Sequence, residues 1–110
     1  MKNAYIDLDR LVRNFDDAQS SPLSNGQRCV LIEIGRRTED GLNTTATNLV
    51  QLIRLGTGPT VHAHLIALES AGFIQRERSQ EDGRAAILSL TKHGIDYLKA
   101  LDNLVRAAAQ

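Results

Sequence analysis

The stretch from Thr60 to Gly94, TVHAHLIALESAGFIQRERSQEDGRAAILSLTKHG, leaves few arrangements open to this chain. Val61, Leu65 and Leu68 recur at steps of four and three, so they share one face of a helix. Gly72 is placed for a left-handed helix stop. Phe73 to Arg78 then reads as a strand, and the polar loop after it holds a turn-forming Asp82-Gly83. Arg84 to Leu90 reads as a second strand, and Thr91 can cap a new helix. The predicted order is helix, hairpin, helix. The outer side of the first helix offers Ala63, Ala67, His62 and His64 but no Arg or Lys, which limits what it can read.

The rest of the chain reads as helices. From Ala4 to Ala18, Tyr5, Leu8, Leu11, Val12 and Phe15 form an apolar stripe. Ser24 to Gln27 fits a capping box, which starts a helix over Asn25 to Arg37 with Val30, Leu31 and Ile34 inward. Leu42 to Thr44 suits a short strand. A helix over Thr45 to Leu55 follows, with Leu49, Leu52 and Ile53 as its apolar side. Gly56 to Pro59 is a tight turn, and Pro59 suits the first position of a helix running to Ala71. The last helix, Lys92 to Ala108, carries Ile95, Leu98, Leu101 and Val105 down one face. The two terminal stripes must be buried on their own domain or on a partner. Their position at opposite ends of a short chain favours a seam between two copies.

Bulk properties narrow the function classes. A chain of 110 residues is one domain by length, taken here as 1–110. Thirteen basic and thirteen acidic residues give no net charge, so nucleic-acid binding cannot rest on overall charge. No apolar run approaches the ~20 residues of a membrane span, so no membrane partner is expected. The charged N-terminus lacks a signal-peptide core, so a cytoplasmic location is expected. Cys29 is the only cysteine; it sits in an apolar run and reads as a small buried hydrophobe, with a redox-sensing thiol as the alternative. No nucleophile–base pair, phosphate loop or metal cluster appears, so neither enzyme activity nor a cofactor or metal is expected. His62 and His64, two apart, do not share a helix face as a metal pair would.

Two short helices joined by a tight turn make a helix-turn-helix candidate, whose second helix would enter a DNA major groove. The hairpin behind it would be a wing, with Arg84 near its tip able to reach a phosphate or a minor groove. The expected fold is mainly α with a small β-hairpin wing: a winged helix-turn-helix at 42–91, with terminal helices at 1–19 and 92–110. Candidate DNA-binding residues are Thr57, Thr60, His62, Ala63, His64, Arg76, Arg78 and Arg84, with Asp82 and Gly83 supporting the wing. Arg54 and Lys92 are further phosphate candidates.

The series Leu65-Ile66-Ala67-Leu68 to Phe73-Ile74, then Asp82-Gly83-Arg84, then Leu90-Thr91-Lys92-His93-Gly94 resembles the winged-helix domain of the MarR family of bacterial transcriptional regulators. The resemblance covers about Thr45 to Leu98. It implies double-stranded DNA as partner, Arg84 in a minor groove and Asp82 holding it. It also implies a homodimer through terminal helices, here Tyr5, Leu8, Val12 and Phe15 with Ile95, Leu98, Leu101 and Val105. Members are usually longer, which implies trimmed terminal helices here. A small-molecule effector is compatible with the resemblance, but no residue in the chain supports one. The alternative is a winged-helix dimer that contacts another protein without reading bases.

Overall fold

The computed structural model describes residues 1–78 and 86–109. The chain runs α1 (Ala4–Asp17), α2 (Asn25–Glu39), α3 (Ala46–Val50), a 3-10 turn (Ile53–Leu55), α4 (Gly58–Ser70), β1 (Ile74–Arg78), β2 (Ala86–Leu90) and α5 (Lys92–Ala108). Each α-helix starts on a polar cap: Asn3, Ser24, Thr45, Thr57 and Thr91 accept hydrogen bonds from first-turn backbone N–H groups. The boxes at Ser24/Gln27 and Thr45/Asn48 are both closed reciprocally. No helix among the described residues is long and apolar enough to cross a membrane.

The core gathers Val30, Leu31 and Ile34 of α2, Leu49 of α3, and Val61, Leu65 and Leu68 of α4, with Phe73, Ile74, Leu88 and Tyr97. β1 and β2 pair antiparallel, from Ile74 opposite Leu90 to Arg78 opposite Ala86. The strand expected at Leu42 to Thr44 shrinks to one bridge, in which Leu88 N–H donates to the Thr44 carbonyl at 2.8 Å.

Two expectations are corrected. The helix expected over Thr45 to Leu55 ends at Val50. Leu52 takes an extended backbone (φ −89°, ψ 100°), which re-aims the chain before the 3-10 turn. Leu55 therefore fills the core and Ile53, expected inside, is 92% exposed. Cys29, expected to be buried, is exposed. The inward face of α2 is set by Val30, Leu31 and Ile34, which leaves Cys29 and Ile32, three apart, on the outer side.

The terminal helices are tied to this core. Phe15 of α1 packs on Tyr97 of α5 (centroids 5.7 Å apart), and Tyr97 meets Phe73 edge-on at 5.5 Å. Beside these rings lies a polar junction of three helices. The Tyr97 hydroxyl donates to Asp16 Oδ1 at 2.5 Å, and Arg28 Nε donates to Asp16 Oδ2 at 2.7 Å. Asp16 is 2% exposed, so its charge is held by these partners rather than by water. Burial opposes the Arg28 charge, but its bonds to Tyr97 and Asp16 outweigh that and raise its pKa. Burial, helped by the bond to Asp16, pushes the Tyr97 hydroxyl up to about 12.

The segment Thr91 to Gly94 fixes the start of α5. Thr91 N–H donates to the Phe73 carbonyl at 3.1 Å, and its hydroxyl donates to the Gly72 carbonyl at 2.5 Å. Gly94 presses against the same Phe73 carbonyl so closely that a Cβ there would overlap the oxygen. Gly72 itself has φ +83°, the left-handed stop expected from its place after α4.

Candidate nucleic-acid interface

α3, the 3-10 turn and α4 form the helix-turn-helix. α4 packs on α2 and α3 through Val61, Leu65 and Leu68, all fully buried. Thr57 caps it: its Oγ1 accepts from Thr60 N–H at 3.4 Å and donates to Thr60 Oγ1 at 3.0 Å. Pro59 lies in the first turn, where its missing N–H breaks no helix bond.

The opposite face of α4 is open. Pro59, Ala63, Ile66 and Ser70, at steps of four, three and four, are all exposed and form its outward stripe. Thr60 and Ala67 border the stripe on one side, His62 and Glu69 on the other. Thr57, Thr60, His62 and Ala63 are therefore exposed on or beside one surface. His64 is not among them. It stands three residues after Val61 and four before Leu68, so it shares the inward face, and its ring rests half-buried against Gly26 at the start of α2. Ile66, 60% exposed and not among the candidate DNA-binding residues, joins this surface. The steps from Ala63 back to Pro59 and on to Ile66 were the available signal.

The cations near this surface are paired. Arg76 on β1 sits 3.3 Å from Glu69 of α4. Arg54 donates to Glu33 Oε2 at 2.6 Å, across from the 3-10 turn to α2. Glu33 is buried and also holds Arg36; the hydrogen bond from Arg36, against the cost of burial and with further help from Arg54, keeps its pKa below the usual carboxylate value. Nothing in the spacing of the sequence signals the long-range Glu33–Arg54 pair. Lys92 lies 3.5 Å from Asp96, and the exposed His93 stacks on Phe73 with centroids 4.4 Å apart. Arg78 is exposed at the end of β1, next to residues 79–85. Arg84, Asp82 and Gly83 lie outside the described residues.

Residues of α2, β2 and α5 line an open groove of about 630 Å³. Ile32, Leu90, Ile95 and Leu98 form its apolar wall, and Arg36, Lys99, Asp102 and Arg106 lie around it. Of the expected seam, Phe15, Leu98 and Leu101 pack partly on the chain's own core. Tyr5 remains 79% exposed, and Ile95 and Val105 are exposed as well.

No protein-family model matches the chain, and no curated protein matches it in sequence. Solved structures do. A mutant of S. aureus MepR bound to oligodeoxyribonucleotide is 25% identical with a TM-score of 0.75, over 97% of this chain and 71% of that one. The S. aureus MepR–DNA complex is 24% identical with a TM-score of 0.76, over 96% and 72%. A probable transcriptional regulator from Pseudomonas aeruginosa is 23% identical with a TM-score of 0.63, over 96% and 76%. MepR is a MarR-family regulator.

Proposed function

We propose that this chain, a winged helix-turn-helix of the MarR type, is a regulator of transcription that binds double-stranded DNA as a homodimer. The observation that carries the reading is the placement of α4. It is the second helix of the helix-turn-helix, it anchors itself with Val61, Leu65 and Leu68, and it leaves a full face open. A helix with its side chains, about 10–12 Å across, fits a major groove about 12 Å wide. Thr57, Thr60, His62 and Ala63 stand at that contact. Arg76 and Arg78 stand on β1, and Arg84 is proposed to reach the minor groove. Repression is the proposed outcome of binding, as promoter DNA occupied by a dimer is closed to other proteins.

The proposed seam joins α1 and α5 of two copies. Tyr5, Ile95 and Val105 offer exposed apolar surface there, and Ile95 and Leu98 continue into the groove beside α2. Two-fold symmetry then asks for a roughly palindromic site with half-sites about one helical turn apart. A second reading, a winged-helix dimer that docks on another protein, is favoured by the lack of any Arg or Lys on α4.

Arg84→Ala tests the first reading. A contact to the DNA backbone predicts weaker binding to every duplex sequence. Unchanged affinity at low salt would remove Arg84 from the interface. A monomeric mass at micromolar concentration would count against the seam.

A further inference from the structure

Resting on the DNA-binding reading above, we propose that Ile66 reads the C5-methyl groups of thymines in the major groove. The outward stripe of α4 is Pro59, Ala63, Ile66 and Ser70. It carries no guanidinium, ammonium, carboxylate or amide. The side chains that make bidentate contacts with guanine or adenine are therefore missing from the part of the helix that would lie deepest. The thymine methyl is the one apolar feature on the major-groove edge of a base pair. An exposed isoleucine matches it in chemistry.

The geometry suits that role. Ile66 is 60% exposed, although Val61, Leu65 and Leu68 around it are fully buried, so its exposure comes from its place on the helix and not from loose packing. A β-branched side chain in a helix is nearly fixed at χ1, so Ile66 loses little freedom on contact. Ala63 is small and lets the helix backbone come close to the groove floor. Thr60 and His62 border the stripe on its two sides and can hydrogen-bond to neighbouring base edges or phosphates. A protein partner fits this face less well. Protein-interface hot spots are enriched in large aromatic anchors, and α4 has neither Trp nor Tyr.

The test uses the full chain and duplexes selected by it from a random pool. Each thymine is replaced in turn by deoxyuridine, which deletes the methyl and keeps the pairing. Wild-type binding should weaken about fourfold for each contacted methyl, the equivalent of about 0.8 kcal/mol. Ile66→Ser, at an exposed position that does not endanger the fold, should bind thymine and uracil duplexes equally. Equal binding of the two duplexes by the wild type would overturn the proposal while leaving DNA binding intact. A thymine preference that persists in Ile66→Ser would overturn it too, because DNA shape or another residue would then be the reader. Failure of the wild type to select any duplex would remove both this proposal and the DNA-binding reading, in favour of a protein partner.

Discussion

Asp16→Asn removes the anion that joins three helices. Its carboxylate, on the last turn of α1, accepts from Arg28 of α2 and from Tyr97 of α5. The Arg28 side chain is only 14% exposed. Without the anion, a cation largely shielded from water loses its counter-charge, and breaking such a pair costs about 3–5 kcal/mol. Two features reduce the loss here. Arg28 keeps a bond to Asn25 Oδ1 at 2.8 Å, and the Asn amide oxygen can still accept one of the two former donors. The expected cost is therefore about 2–3 kcal/mol, a fall in melting temperature of roughly 10 °C for a domain of this size. Urea and thermal unfolding, at one fixed protein concentration because a dimer's stability depends on it, give the number. Asp17→Asn, exposed next door, should stay within about 0.5 kcal/mol of the parent. A cost for Asp16→Asn below about 1 kcal/mol would refute the claim that this junction ties α1, α2 and α5 together.

Tyr97 supplies a pH test. Its hydroxyl ionises near 12 in the folded chain, above the ordinary value of 10.0. The stability linked to it is fully present below pH 10 and falls as pH rises through 12, and Tyr97→Phe should flatten that part of the pH–stability curve. In a Tyr5→Phe background, tyrosinate absorbance should rise only near pH 12. Gly94→Ala should cost about 3 kcal/mol or more, since the added Cβ meets backbone oxygen that cannot turn aside. Gly41→Ala, with nothing near its Cβ but φ +73°, should cost about 1–2 kcal/mol, and equal losses for the two by urea unfolding would contradict the steric account of Gly94.

The parts of the fold legible in the sequence are those fixed by neighbours along the chain. The caps at Ser24 and Thr91, the stop at Gly72 and the 61–65–68 face depend on residues within one or two turns, and each is formed. What was not legible depends on residues distant in sequence. Ile53 was assigned inward because it follows Leu49 and Leu52 at helical spacing, but the backbone bend at Leu52 turns it out. Cys29 lies in an apolar run whose inward side is chosen by the packing of α2 on α4, not by the run itself. In the candidate site, Thr60, His62 and Ala63 were placed outward by periodicity. His64 is expected outward with them, but it stands three after Val61 and four before Leu68, and its ring turns in against Gly26. The pairing of Arg54 with Glu33 spans 21 residues and leaves no local trace. Under the proposed function, Arg54 would have to exchange that carboxylate for phosphate to touch DNA.

The direct measurement for DNA recognition is binding of the full chain to random duplex DNA across a salt series. The account predicts binding at about 50 mM salt, weakening on a log–log plot with a slope of about −0.9 for each phosphate neutralised. Arg84→Ala should make that slope shallower by about one phosphate. No detectable binding at low salt, or binding indifferent to salt, would contradict DNA as the partner of α4.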